Sequence, residues 1–141
     1  MTTLLAPPEG FEPHFRKSSL TEPWEPIYSR RLDDRVIIGL YAREPHTNSR
    51  GMVHGGLIAA LADNAMGLSC VQVLIGEGRK PEGGLVTVSM ATDFIGAAKL
   101  GQWVAFDTQY VKTGRTLCFA QAFITADGEV IGRADARFKV T

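Results

Sequence analysis

The chain has 141 residues, which is the size of a single domain. Hydrophobic residues make up 45% of it and charged residues 21%, a composition typical of a globular protein rather than a disordered or fibrous one. Fifteen basic residues balance fifteen acidic ones, so the overall charge gives no field that would attract nucleic acid or an anionic membrane.

The first 26 residues are rich in proline. Five prolines and three aromatic residues fall in this stretch. Proline interrupts helix and sheet, so we expect an irregular arm with room for one helical turn. The aromatic side chains predict that this arm packs on the body of the domain, residues 27–141, over a groove or a subunit contact. The N-terminus lacks the basic and long apolar regions of a signal peptide, which predicts a cytoplasmic protein.

Strand patterns flank one long helical pattern. Two short apolar runs, 27–32 and 36–42, are separated by an acidic pair that suits a tight turn. A run rich in Ala and Leu and free of Pro predicts a helix from His54 to about Ile75. Four further strands, separated by turns that contain Gly, are expected at 85–95, 102–112, 116–125 and 129–140.

The last strand alternates between apolar and charged residues. Such alternation places one side of an antiparallel strand against the core and the other side in water. The expected core-facing residues are Val130, Gly132, Ala134, Ala136, Phe138 and Val140, and the expected solvent-facing residues are Ile131, Arg133, Asp135, Arg137 and Lys139.

The predicted helix has an unusual composition. Between Gly55 and Ile75 its only formal charge is Asp63. A helix that is apolar nearly all round is buried on most sides, and an acid in its middle argues against a membrane span. An antiparallel sheet wrapped around one central helix satisfies this order of two strands, one buried helix and four strands. The fold class is therefore α+β.

A glycine pair opens this helix. His54-Gly55-Gly56 joins a polar loop to the apolar segment, and glycine lets another molecule approach the backbone closely. The first N–H groups of a helix have no intrahelical partner and point outward at the positive end of its dipole. This arrangement predicts a site for an anion, or for a carbonyl oxygen becoming one. The other interpretation is a flexible helix entry with a tight packing contact.

Residues 46–64 closely resemble the signature of the hotdog-fold thioesterases of the phenylacetic-acid-degradation (PaaI) type, which hydrolyse acyl-CoA thioesters. The shared pattern is Asn-x-x-Gly-x-x-His-Gly-Gly, kept here at Asn48, Gly51, His54, Gly55 and Gly56. The resemblance implies a hotdog fold and an acyl-CoA substrate, with Asn48 orienting water or the thioester. It also implies at least a homodimer, often a tetramer, with two sites at the dimer interface.

Asp63 is the candidate general base or nucleophile. Burying a carboxylate in an apolar helix costs free energy, so an acid at such a position is expected to have a function. The alternative is an acid that bonds Asn64 or nearby backbone and fixes the helix. Eight positions separate Gly55 from Asp63, about 12 Å along a helix axis, so one helix does not easily bring both to one carbonyl carbon. A site using both groups would draw them from two chains. Water activation and an acyl-anhydride route both fit these residues.

The resemblance also places a Ser or Thr on the first strand after the helix, where it assists the water or the acid. Thr87 fits this position, and Ser89 shares its face if the strand keeps a period of two. The alternative for Thr87 is a β-branched residue that serves strand packing. His54 is either an acid–base group or a residue that orients the helix entry. Asn48 is either a site residue or a turn residue that bonds its own loop.

Further side chains are candidates for substrate binding. An acyl pocket is expected from the helix and from strand residues such as Val86, Val88 and Phe94. Basic residues near two turns, including Arg79 and Lys80, are candidates for contacts to the CoA phosphates, or else solvated turn charges. The expected substrate-binding residues are Gly56, Asn64, Val86, Val88, Ser89, Lys112 and Arg115.

No metal or cofactor is expected beyond the CoA moiety of the substrate. His46, His54 and Asp63 have no recognised ligand spacing, and His46 is expected on the surface of its loop. Cys70 and Cys118 lie far apart in apolar surroundings and fit no metal or redox motif. They are expected to be reduced, buried thiols.

Two other functions stay open at this point. A non-catalytic acyl-CoA-binding module of the same fold would be expected to lack the acid or the Asn, and both are present. A hotdog dehydratase or hydratase would need a His paired with an acid, which the pattern from Asn48 to Asp63 does not resemble. An acyl-CoA thioesterase is therefore the favoured interpretation.

Overall fold

The computed structural model describes residues 5–141, so the first four residues of the predicted arm lie outside the described range. Within it, one long helix is followed by four long strands and preceded by three shorter ones. The elements are β1 Glu12–Pro13, β2 Tyr28–Arg31, β3 Val36–Tyr41, α1 Gly55–Gly76, β4 Leu85–Phe94, β5 Trp103–Thr113, β6 Leu117–Ala126 and β7 Glu129–Val140.

All described strands form one antiparallel sheet. Their order across it is β1-β2-β3-β5-β6-β7-β4. The C-terminal strand β7 therefore lies between β6 and β4, and β4 forms one edge of the sheet. The helix α1 lies across one face of this sheet and contacts β3, β4, β5, β6 and β7. The predicted α+β hotdog arrangement of one sheet around one long helix is confirmed, and the predicted element boundaries agree within two residues.

The core lies between α1 and the inner face of the sheet. The 22-residue helix α1 is long and apolar enough to cross a membrane by length and composition alone. Here its apolar side chains pack against the sheet instead, and burying each Leu-sized side chain contributes roughly 1.5–3 kcal/mol. The buried helix residues are Leu57, Ile58, Leu61, Ala62, Ala65, Met66, Ser69, Cys70 and Leu74.

The N-terminal arm joins the sheet, which the sequence did not indicate. Glu12 pairs with Ser29 to form the short outer strand β1, where Pro13 is tolerated because an edge strand does not need every N–H. One 3-10 turn spans Glu22–Trp24, in keeping with the single helical turn expected. The ring of Phe11 meets that of Trp103 edge-on, with the centroids 5.0 Å apart.

The predicted alternation of β7 is wrong at its start. Val130, expected in the core, is 44% exposed, and Ile131, expected in water, is 5% exposed. The cause is a β-bulge: on β6, Ile124 pairs with Gly132 and Thr125 with Val130, which leaves Ile131 as the extra residue. From Gly132 onward the strand alternates as predicted.

Both cysteines are buried and free, as expected. Cys70 on α1 contacts Cys118 on β6 across the helix–sheet interface. Burial raises the pKa of the Cys70 thiol to about 12. At neutral pH this thiol is therefore protonated and behaves as a small apolar core residue.

Candidate active site

The helix start is capped by His54. Its backbone is extended, and its ring Nδ1 accepts the Gly56 N–H at 2.7 Å. The Nδ1 that accepts carries no proton, so the neutral tautomer has its hydrogen on Nε2. His54 thus orients the helix entry, one of the two roles left open by the sequence, and Gly56 has its N–H bonded within the chain.

Gly55 presents an unpaired donor at the first position of this helix. In the part of the chain that the structure describes, no acceptor takes the Gly55 N–H. The ring of Phe94 covers the adjacent space, since a Cβ built on Gly55 would lie 3.3 Å from it. A free backbone N–H at the positive end of a long helix suits a carbonyl oxygen that gains negative charge.

Asp63 and Thr87 lie side by side, as the predicted catalytic set requires. The Thr87 hydroxyl donates to Asp63 Oδ1 at 2.7 Å, which joins β4 to the middle of α1. Asp63 is half-buried on the open side of the helix. Its carboxylate accepts a hydrogen bond from Thr87. It does not bond Asn64, one of the partners expected if Asp63 only fixed the helix.

A bulge in β4 separates Thr87 from Ser89. Thr87 pairs with the buried Phe138, whereas Ser89 pairs with Arg137 and its hydroxyl lies 3.5 Å from the Arg137 guanidinium. Val88 is the extra residue of the bulge, so the period of two is broken there. The prediction that Ser89 shares the face of Thr87 is therefore wrong. Ser89 belongs to the outer face of the sheet.

Val86 and Val88 lie on the exposed surface and are not among the residues that line the cavity beside Asp63. Val86 is 54% exposed and pairs with Lys139, and Val88 is 58% exposed at the bulge. A surface cavity of about 220 Å³ lies beside Thr87 and Asp63. Its apolar lining comes from Leu68, Val71, Leu85 and Phe138.

Asn64 also lines this cavity, and it is held by the arm. Its Oδ1 accepts a hydrogen bond of 3.0 Å from Nε2 of His14, a side chain that is only 3% exposed. The second ring nitrogen of His14 has no hydrogen-bond partner among residues 5–141. Burial lowers the pKa of His14, which favours the neutral ring. With Oδ1 occupied, the Asn64 amide N–H groups are the ones available to a ligand.

Asn48 bonds its own loop. Its Oδ1 accepts the backbone N–H groups of Arg50 at 2.9 Å and Met52 at 3.2 Å. This is the turn role left open by the sequence. The side-chain NH₂ of Asn48 is the group that it has left for a substrate or a water molecule.

His46 is not on the loop surface, contrary to the prediction. It is 1% exposed, its Nδ1 accepts the Arg43 N–H and its Nε2–H donates to the Trp24 carbonyl. Both ring nitrogens are therefore engaged, and burial lowers the pKa of His46. Among residues 5–141 no three His, Cys, Asp or Glu side chains are grouped as a metal site.

The basic residues proposed for CoA phosphates gather at the far end of α1. Arg79 donates to the backbone carbonyls of Gly114 at 2.8 Å and Arg115 at 3.1 Å, which ties it to the β5–β6 turn. Its guanidinium is therefore largely occupied by the chain itself. Neither Lys112 nor Arg115 lines the cavity beside Asp63. Phosphate binding by Lys112 and Arg115 stays a prediction.

Two arm residues escaped the sequence interpretation. His14 contacts Asn64, and Arg16 lies at the wall of the cavity that holds Asp63 and Thr87. Both fall in a proline-rich stretch without periodicity, and His14 meets Asn64 across fifty positions of the chain. The one local signal was the order His14-Phe15-Arg16, because in an extended segment residues two apart point to the same side of the chain.

Comparison with known proteins identifies the family. Residues 50–132 match the thioesterase superfamily. The chain is 33% identical to a candidate esterase of Pseudomonas aeruginosa over 132 residues, 93% of this chain and 95% of that protein. It is 35% identical to acyl-coenzyme A thioesterase 13 of Homo sapiens over 101 residues, 70% of this chain and 68% of that protein. The chain therefore belongs to the thioesterase superfamily, and it is a thioester hydrolase.

A solved structure shows the same fold. A hypothetical thioesterase of Streptococcus pneumoniae in complex with coenzyme A superposes with a TM-score of 0.72. The match covers 84% of this chain and 90% of that one, at 24% identity. The hotdog resemblance carried by residues 46–64 is thereby confirmed.

Proposed function

We propose that the protein hydrolyses acyl-CoA thioesters at a site shared between two chains. Gly55 of one chain polarises the thioester carbonyl, and Asp63 of the partner chain activates water. The observation that carries this proposal is the position of both residues on one unbroken helix, α1. They lie eight positions apart, about 12 Å along the helix axis, too far for both to reach one carbonyl carbon from the same chain.

The free edge of β4 supports a dimer. β4 pairs with β7 on one side, and the described sheet ends at its other side. This edge carries exposed Val86, Val88 and Ile95. A long edge strand with apolar side chains is a template for pairing with another chain. A two-fold pairing of β4 with its copy sets the two helices antiparallel, so that Gly55 of one approaches Asp63 of the other. A tetramer of two such dimers is the expected full assembly.

The reaction then follows from the groups present. The carboxylate of Asp63 takes a proton from water, and the resulting hydroxide adds to the thioester carbon. The Gly55 N–H stabilises the oxyanion. The carbon–sulfur bond breaks, and the leaving thiolate receives the proton from Asp63, which gives free acid and CoA. Direct attack by Asp63 would give an acyl anhydride that water hydrolyses, with the same products.

Other residues support these steps. The Thr87 hydroxyl fixes the Asp63 carboxylate, and the Asn48 amide positions water or the thioester. Water is the only co-substrate, so the proposal includes no metal or cofactor. The relative crystallised with coenzyme A supports CoA as the leaving group. The reduced Cys70 and Cys118 are in keeping with a cytoplasmic location.

A groove beside the helix start suits the pantetheine arm of the substrate. It has a volume of about 370 Å³ and borders His54 and Gly56 on α1. Leu20 and Trp24 of the arm form its apolar side. A thioester bound at Gly55 would direct its CoA arm into this groove and its acyl group into the cavity beside Asp63 of the partner chain.

The histidine contacts do not favour a hydratase. That chemistry needs a His paired with an acid, whereas His14 bonds Asn64, His46 bonds Trp24 and His54 bonds Gly56. All three histidines of the chain lie in the described range.

Complementation between two inactive variants tests the shared site. Gly55→Pro removes the N–H at a position where helices accept proline, and Asp63→Asn removes the base. Each variant alone is expected to be inactive in an assay of free-thiol release from CoA esters. Mixed after unfolding and refolding together, they form heterodimers with one intact site, so about a quarter of wild-type activity returns. Gly55→Ala, which keeps the N–H, is the matched control for Gly55→Pro.

Three outcomes would contradict the proposal. If mixing restores no activity while the heterodimer is present, both groups act from one chain. If Asp63→Asn keeps wild-type turnover, Asp63 is not the base. If the wild-type protein binds CoA tightly but turns over no ester of a short, medium, long and aryl panel, the acyl-CoA hydrolase assignment fails.

A further inference from the structure

The N-terminal arm is fixed against the cavity beside Asp63 by several contacts. The backbone N–H of His14 donates to the Ile27 carbonyl at 2.8 Å, and its ring bonds Asn64. The next residue, Phe15, lies under the guanidinium of Arg31, 3.8 Å from the ring centroid. These contacts fix the two residues that precede Arg16, and Arg16 itself lies at the wall of the cavity.

Arg16 brings a charge that the chain does not use. Four arginines pair with carboxylates, namely Arg35, Arg79, Arg133 and Arg137. In residues 5–141 no carboxylate lies within salt-bridge distance of Arg16. Asp63 lines the same cavity, but its hydrogen-bond partner is Thr87. One cavity is therefore lined by an exposed cation and a half-buried anion that form no ion pair with each other.

Apolar side chains line part of the same cavity, beside the polar Asn64 and Thr87. Leu68, Val71 and Phe138 line the cavity together with Arg16 and Asp63. Its volume of about 220 Å³ lies below the range of roughly 300–1,000 Å³ found for drug-sized ligands. The lining thus suits a short hydrocarbon segment with a reacting carbonyl at one end and an anionic group at the other.

We infer that Arg16 is a specificity-determining residue that selects short acyl groups with a distal carboxylate. This inference rests on the proposed function, because the acyl carbonyl must lie at Asp63. The guanidinium fork matches a carboxylate with two parallel N–H donors, so it binds a dicarboxylic monothioester more tightly than the neutral ester of the same length. The family match begins at residue 50, so this selectivity resides outside the matched segment.

Matched pairs of esters test this role. Glutaryl-CoA and pentanoyl-CoA have equal chain length and differ in the distal carboxylate; succinyl-CoA with butyryl-CoA and adipyl-CoA with hexanoyl-CoA extend the series. The wild-type protein is expected to show the higher kcat/KM for the anionic member of at least one pair. In Arg16→Gln the anionic-to-neutral ratio of kcat/KM is expected to fall about tenfold or more, mainly through KM.

Two further variants serve as controls. Lys17→Gln removes the neighbouring arm cation, which is exposed and pairs with Glu25, and it is expected to keep the wild-type ratio. Arg16→Lys keeps the charge but loses the fork, so it is expected to restore part of the ratio.

The outcomes separate this inference from the proposed function. An unchanged ratio in Arg16→Gln, or no turnover of any anionic ester by the wild-type protein, overturns the role of Arg16. An equal fall for both members of each pair, with weaker inhibition by free CoA, also overturns it and assigns Arg16 to the CoA phosphates. Asp63→Asn is assayed on pentanoyl-CoA alongside, and full activity of this variant contradicts the proposed function. The anionic-to-neutral ratio of kcat/KM in Arg16→Gln can still be measured in that case.

Discussion

Thr87 holds Asp63 from a neighbouring element, through a hydrogen bond of 2.7 Å between the edge strand β4 and the central helix α1. The hydroxyl donates to Oδ1, and among residues 5–141 no hydrogen bond to Oδ2 is formed. The proposed catalytic base is thus oriented by the same strand whose free edge is proposed to pair with a second chain. Any shift of β4 is transmitted to the carboxylate through this single contact.

Replacing Thr87 with Val is expected to impair turnover more than folding. Val keeps the β-branched shape but cannot donate to Asp63, so the carboxylate loses its fixed orientation. We expect kcat to fall about tenfold, which corresponds to ~1.4 kcal/mol in the barrier, with KM little changed. Steady-state kinetics measure this split, and Thr87→Ser, which keeps the hydroxyl, should retain most of the turnover. A Val variant with wild-type kcat would remove Thr87 from the mechanism.

Replacing His54 with Ala is expected to destabilise the start of α1. The ring Nδ1 no longer accepts the Gly56 N–H, and loss of a helix N-cap costs about 1 kcal/mol. Urea denaturation followed by circular dichroism measures the loss. His54→Asn, which supplies a side-chain oxygen at the cap, is expected to recover most of the stability. If Asn recovers stability but not turnover, His54 also has a chemical role; equal recovery of both confines it to capping.

Stability is expected to fall as the pH drops below 6.5. Burial lowers the pKa of both His14 and His46 from the ordinary value of 6.5. Above this value the histidines are neutral in both states and add no pH dependence. Below it the unfolded chain takes up protons that the folded chain resists, so the free energy of unfolding decreases until the lowered pKa is reached.

Urea titrations between pH 7.5 and about 5, above the range where carboxylates titrate, measure this dependence. Each histidine contributes a slope of at most about 1.4 kcal/mol per pH unit. His46→Gln lacks the titrating ring, so its free energy of unfolding should change less with pH than that of the wild-type protein. This comparison of slopes does not depend on how stable the variant is at any one pH. A slope equal to that of the wild-type protein would show that His46 does not titrate differently on folding.

Two glycines are expected to respond to Ala with opposite signs. A Cβ on Gly39 in β3 would lie 2.2 Å from the Trp103 ring, so Gly39→Ala displaces the ring that Phe11 packs against. Such overpacking costs roughly 1–3 kcal/mol. A Cβ on Gly76 meets no atom within 4 Å, and Ala is the better helix former there by roughly 0.5–1 kcal/mol. Thermal unfolding of both variants checks the two signs; a Gly39→Ala variant as stable as the wild-type protein would refute this account of Gly39, and a destabilised Gly76→Ala variant would refute that of Gly76.

The sequence predicted those features that depend on local pattern. The buried helix follows from its apolar run, and the neighbouring positions of Asp63 and Thr87 follow from the motif together with the first strand after the helix. Contacts of the arm were missed, because β1 and the bond between His14 and Asn64 depend on partners far along the chain. The bulges in β4 and β7 were missed as well. An extra residue such as Ile131 is defined only by the pairing of its partner strand, which leaves no sign in its own composition.

The bulge at Val88 shifts by one residue which positions of β4 face the helix. Thr87 faces the helix on one side of the bulge, and after it the inward positions are shifted by one, so that Phe94 reaches Gly55 while Asp93 turns outward to Arg133. Deleting Val88 would remove the bulge and leave the other pairs in place, because Thr87 and Ser89 already pair with the adjacent residues Phe138 and Arg137 of β7. A strand that kept Val88 but lost the bulge would instead exchange the faces of all later residues of β4, and Asp93 would replace the ring of Phe94 beside the Gly55 N–H.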